Sequence, residues 1–294
     1  MTGTSSSGRV GFLKAIAWSI AFIVLTLVSA GALGFAGALL TIGSPTAAAA
    51  WLMAAGPGAM LLQAGVTLAS AAFWTWLIGF RVLGLSLRDL RYAGRDRALS
   101  GFGFGLLAGA LTAAVALLIS AVVGGAEWVR DSGTVLDYLS QSSKTVIVLA
   151  PAALSEEVVF RGVPLVLLAA TMGRGAAVVA VAVLFAFAHL ANPNVTALGL
   201  GNIAMAGIFL GLAFYAPGGI WTAFGAHLGW NAMLACLDAP VSGLPFRIPL
   251  LDYHSGGPAW LTGGAFGPEG GLAATAALAA AIVVLYRWAR RDVL

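Results

Sequence analysis

Long apolar runs recur along the whole chain, separated by short polar or glycine-rich stretches. Eight can be marked, over residues 12–40, 47–80, 99–124, 144–170, 175–190, 197–216, 218–237 and 271–286. Runs of about 20 apolar residues, folded as helices, match the hydrocarbon thickness of a bilayer. The pattern therefore predicts an all-α, polytopic transmembrane helix bundle of about eight spans. Pro57, between Gly56 and Gly58, marks a kink or boundary inside the second run. The first run has Arg9 and Lys14 near its start, as a signal peptide would. It continues from Gly11 to Leu40, well beyond the roughly 7–15 apolar residues of a signal sequence, and reads as an uncleaved span.

Composition agrees. Of 294 residues, 60% are hydrophobic and 9% charged, against roughly 25% charged in a soluble domain. That excludes a disordered chain, a collagen-like repeat and a conventional soluble enzyme. The net charge of +4 forms no basic face, which argues against nucleic acid as a partner. A single cysteine, Cys236, permits neither an internal disulfide nor a cysteine metal cluster.

Loop charges give the orientation. With the N-terminus inside, the inner segments carry eleven basic residues: Arg9, Lys14, Arg81, Arg88, Arg91, Arg95, Arg97, Arg174, Arg287, Arg290 and Arg291. The outer segments carry three, Arg130, Lys144 and Arg247, with six acids, Glu127, Asp131, Asp137, Asp238, Asp252 and Glu269. This positive-inside bias places both termini in the cytoplasm and favours an even number of spans. Gly101, Gly105 and Gly109 recur at every fourth position, as do Gly207 and Gly211, a spacing that lets helices approach closely.

Ionisable groups inside such spans cost several kcal/mol, roughly 2.5–3.5 each on insertion scales, and mark function. Glu156, Glu157 and Arg161 lie in the fourth run, His189 ends the fifth, and His227 and Asn231 lie in the seventh. Counting about 1.5 Å per residue from Lys144 and Gly218 puts Glu156 and His227 near one mid-membrane level, with His189 nearer the outer surface. Glu157 and Arg161 are spaced for an ion pair, His227 and Asn231 for a shared site, and Phe185 for packing on His189. His254, in a glycine-rich outer loop, reads as a surface residue.

A carboxylate and an imidazole together can hold and deprotonate water, as amide hydrolysis requires. A second imidazole and an asparagine amide can donate to the resulting oxyanion. No HExxH string occurs, and Ser155 has no recognisable serine-hydrolase partners. Glu156, His189 and His227 are also donor types that zinc takes, so metal-held and metal-free water both remain open.

EEVVFR at 156–161, FAFAH at 185–189 and the stretch from Asn202 to HLGWN at 227–231 resemble, in order and separation, the three motifs of one family. These are the CAAX prenyl protease and bacteriocin-processing (CPBP, or Abi) intramembrane proteases, and the likeness covers roughly residues 144–237. It implies a membrane endopeptidase in which Glu156 and His189 activate water. His227 and Asn231 would stabilise the oxyanion, with Glu157 assisting and Arg161 orienting it. No cofactor is favoured, with zinc the candidate if one is used. The chain reads as one membrane domain, with accessory spans at 1–143, a motif-bearing core at 144–237, and an outer loop, last span and basic tail at 238–294. A bacterial inner membrane, the bilayer itself and a membrane-associated peptide or protein substrate are the expected setting and partners. A proton-coupled transporter or a non-catalytic scaffold or immunity protein would use the same polar residues differently.

Overall fold

The computed structural model describes residues 11–92 and 94–291, with side chains to residue 287. Arg9 of the expected inner segments lies outside the described residues, as do the side chains of Arg290 and Arg291. The apolar runs all become helices: α1 (Phe12–Ile42), α2 (Pro45–Met53), α3 (Pro57–Trp74), α4 (Arg95–Gly124), α5 (Val135–Arg161), α6 (Val163–Met172), α7 (Arg174–Ala188), α8 (Ala197–Tyr215), α9 (Ile220–Cys236), a short α10 (Ala259–Thr262) and α11 (Leu272–Arg291). A two-stranded antiparallel ribbon, β1 (Glu127–Arg130) on β2 (Leu251–His254), is the one exception to an all-α bundle among the described residues.

Three boundaries differ from the pattern of apolar runs. The second run divides at Gly56–Pro57 into α2 and α3, and α3 continues as a π-helix over Thr75–Val82. Helix α5 starts nine residues before Lys144, because Thr134 and Asp137 form a reciprocal capping box inside polar sequence. The fourth run then breaks at Gly162, whose ψ of −121° is not helical, just ahead of Pro164.

Among the described residues, four helical stretches are long and apolar enough to cross a membrane by themselves: Phe12–Ile42, Pro57–Val82, Arg95–Gly124 and Ala197–Tyr215. Four stretches, where about eight spans were expected, thus qualify as independent spans. Helices α7 and α11 are apolar but shorter, and α5 and α9 carry the polar residues that lower their hydropathy.

Two sets of connections gather at opposite ends of the bundle. At one end Tyr92 bridges Gly219, and the Arg91 guanidinium donates to the carbonyls of Phe214, Tyr215 and Ala216, capping α8. Arg174, at the start of α7, lies over the Tyr215 ring. At the other end β1 pairs with β2, and Asn192 donates to the Ser242 carbonyl.

Helices α4 and α9 make the most extensive contact, through glycines. A Cβ on Gly105 would lie 2.1 Å from the Thr222 carbonyl oxygen, and one on Gly109 1.9 Å from that of Ala226. From the other side, a Cβ on Gly225 or Gly229 would meet the carbonyls of Phe102 or Leu106 at 2.2 and 2.1 Å. Backbone therefore lies directly on backbone. This seam fixes α9, and α9 carries His227 and Asn231.

Candidate active site

Three helices supply the polar side chains, and a fourth adds backbone. Glu156, Glu157 and Arg161 come from the last turns of α5, His189 caps the C-terminus of α7, and His227 and Asn231 come from α9. Helix α8 contributes backbone: the Gly207 carbonyl accepts from Arg161 at 3.2 Å.

Arg161 and Glu157 are fully buried and paired, Nη1 to Oε1 at 3.0 Å. The pairing expected from their spacing is present, but Glu157 has a second partner. Its Oε1 also accepts from His227 Nδ1 at 2.8 Å. Because a carboxylate oxygen accepts, this bond puts a proton on Nδ1 and turns Nε2 the other way. His189 is oriented similarly, with Nδ1 donating to the Phe185 carbonyl at 2.7 Å.

Both Nε2 atoms face one oxygen. Glu156 Oε2 lies 3.9 Å from His189 Nε2 and 3.8 Å from His227 Nε2. That oxygen is buried and makes no hydrogen bond. Three acceptors thus converge at distances slightly too long for direct bonds. Such a cluster calls for a donor between its members, and a water molecule has two O–H groups to give. His189, expected nearer the outer surface than Glu156, is level with it.

Phe185 forms the floor. Its ring centroid is 4.6 Å from that of His189 and 6.0 Å from that of His227, and Arg161 Cζ lies 4.5 Å from the same centroid. The packing of Phe185 on His189 was legible from their spacing; its contacts with the other two were not.

Beyond the imidazoles lies a cavity of about 30 Å³, with room for one or two water-sized groups. His189, His227 and Asn231 line it, together with Trp230, Ser242 and Glu269. Glu269 is the residue that sequence reasoning missed, having placed it among the outer-loop acids. It is 7% exposed and accepts from Trp230 Nε1 at 3.0 Å, from the Ser242 hydroxyl at 3.1 Å and from the Ser242 backbone N–H. Burial pushes its carboxyl above the usual carboxylate range, against the pull of the Ser242 and Trp230 donors. Asn202 anchors this loop from α8, donating to the carbonyls of Glu269 and Gly271 and accepting from Thr275.

The donor types of Glu156, His189 and His227 suit zinc, but their spacing does not. A tetrahedral zinc with bonds of about 2.0–2.1 Å holds its ligands about 3.4 Å apart, roughly half an ångström closer than these atoms stand. Among the described residues, no group of three His, Cys, Asp or Glu side chains is arranged to hold a metal. His254 pairs with Asp252 at 3.2 Å on the exposed ribbon, away from this cluster.

Against known proteins, a family model described as Type II CAAX prenyl endopeptidase Rce1-like matches residues 139–233. The match, over about a third of the chain, supports assignment of this segment to that protease family. The Rce1-like segment runs from α5 to α9 and contains all six polar residues singled out from the sequence. Glu269 lies outside it. No curated protein and no solved structure matches the chain.

Proposed function

We propose that the chain is an intramembrane endopeptidase that cleaves a peptide bond of a membrane-associated protein or peptide with water activated by Glu156 and His189. The observation that carries this reading is the convergence of His189 Nε2 and His227 Nε2 on the unpartnered Glu156 Oε2.

Water held at that point donates one hydrogen to Glu156 and the other to His189. On attack, its oxygen bonds to the carbonyl carbon and its proton passes to Glu156. The carbonyl oxygen becomes an oxyanion within reach of the Asn231 amide and of His227. His227 donates from Nε2 only as an imidazolium, and Glu157, on its Nδ1 side, is placed to stabilise that cation. Collapse breaks the carbon–nitrogen bond, and the proton on Glu156 goes to the leaving amine. Arg161 acts through Glu157 as a positioning residue.

The same reading sets the chain in a bacterial cytoplasmic membrane with about eight crossings and both ends inside. Residues 1–143 serve as accessory spans, 144–237 as catalytic core, and 238–294 as outer loop, last span and tail. Shorter helices such as α7 and α9 cross as members of the bundle. The gathering of the Arg91 and Arg174 connections at one end, and of β1 and β2 at the other, supports that alternation.

Purified protein in lipid nanodiscs, incubated with a peptide library and mapped by mass spectrometry, tests the chemistry. Glu156→Gln is expected to lower cleavage by about 10²–10⁴-fold, and a chelator to leave wild-type cleavage unchanged. Equal cleavage by Glu156→Gln removes that carboxylate from the mechanism, and a library left intact by wild type removes the endopeptidase reading.

A further inference from the structure

The cavity beyond the imidazoles is not needed to hold the attacking water: His189, His227 and Asn231 line it, while Glu156 does not. It shares these residues with the candidate machinery, and the rest of its lining includes Ile203, Ala206 and Leu210 of α8 with Glu269 of the outer loop. We infer that this cavity is a specificity subsite that receives one small, uncharged side chain flanking the scissile bond. The inference rests on the endopeptidase reading and adds the class of residue it selects.

Size is the first argument. About 30 Å³ accommodates one or two non-hydrogen atoms, so glycine, alanine and serine fit and a branched or aromatic side chain does not. The walls are set in close-packed helices. Gly207 and Gly211 bring α8 onto Ala182 and Val178 of α7, where a Cβ would approach within 2.8 Å, so the space cannot widen by a small helix shift. Charge is the second argument. Glu269 offers oxygens already engaged by Trp230 and Ser242, which repels an acidic side chain, while a lysine or arginine head is far too large. A serine hydroxyl can still find an acceptor there, because a carboxylate has about four lone-pair positions and these bonds use three.

Two readouts test this, and one needs no catalysis. In a Cys236→Ser background, Ala206→Cys places a single thiol in the cavity wall. Methyl methanethiosulfonate is expected to label it at least tenfold faster than the benzyl reagent, and adding Leu210→Ala is expected to bring the two rates together. Equal rates without the Leu210 change overturn the inference, whatever the protein does to peptides. In the cleavage library, glycine, alanine or serine is expected at one position next to the cut. Leu210→Ala is then expected to admit valine or leucine there with a gain of about 10–200-fold, the discrimination that one or two methylene-sized groups give. Wild-type cuts with large side chains on both sides also overturn it while leaving the endopeptidase reading standing.

Discussion

At the scale of single residues, the site is a set of side chains whose second contacts decide what their first contacts can do. His227 faces Glu156 because its other nitrogen is tied to Glu157, and Glu157 is held by a fully buried Arg161. Glu269 carries a prediction of its own. Its carboxyl titrates higher folded than unfolded, since burial disfavours the charge more than the Ser242 and Trp230 donors favour it. Such a group contributes stability below the ordinary carboxylate pKa and loses it as pH rises through the folded value. Wild type should therefore lose thermal stability relative to Glu269→Gln as pH is raised from about 4 to about 8. Melting curves of both proteins in detergent check this, and a difference that stays constant with pH contradicts it. Five ionisable residues and Asn231 stand out in the sequence because polar groups in apolar runs are conspicuous. Glu269 was not, because it sits in a Pro- and Gly-rich loop. Its partners are 27 residues away at Ser242 and 39 at Trp230, and only folding makes that carboxylate a buried one.

Among elements, α4 and α9 matter most, since their seam sets where His227 and Asn231 stand. Gly103 and Gly105 make a controlled pair on one helix. A Cβ on Gly103 meets nothing within 4 Å, whereas one on Gly105 would collide with the Thr222 carbonyl at 2.1 Å. Gly103→Ala should melt at or above the wild-type temperature, given alanine's advantage of about 1 kcal/mol over glycine in a helix interior. Gly105→Ala should melt lower and lose cleavage, because backbone rather than a flexible side chain is in the way. Comparable melting of the two variants would show that the helices part without cost. The small-residue spacing predicted a close helix approach, but nothing in the sequence said that the glycines of α4 would lie on the backbone of the helix that carries His227. Ends of elements were less legible than their middles. Residues 135–143 look like loop by composition and become helix through the Thr134–Asp137 capping box. The fourth run hides a break because Gly162 and Pro164 stand amid valine and leucine.

For the whole molecule, the orientation expected from loop charge can be read directly on cells. In a Cys236→Ser background, Ser255→Cys beside the ribbon should react with an impermeant thiol reagent added outside. Ser86→Cys, between α3 and α4, should react only after the membrane is opened. Reaction of both from outside would require a different number of crossings between them, and the reverse pattern would mean the opposite orientation. The apolar runs were legible as helices but their number as spans was not, since helices such as α7 and α9 are too short or too polar to register as independent spans. The ribbon escaped notice because Glu127–Arg130 and Leu251–His254 pair across more than a hundred residues of intervening chain.

The stitching of the outer end has a consequence for how a substrate arrives. β1 is laced to β2, Asn192 and Glu269 both hold Ser242, and Asn202 pins the segment leading into α11. With that cap sewn down, a peptide dissolved in the surrounding medium meets a lid. Glu156, by contrast, keeps about a third of its side chain uncovered (36%). On the endopeptidase reading proposed above, a client already embedded in lipid is expected to enter by that uncovered side. What governs encounter is then crowding in two dimensions, set by how many clients share a patch of bilayer.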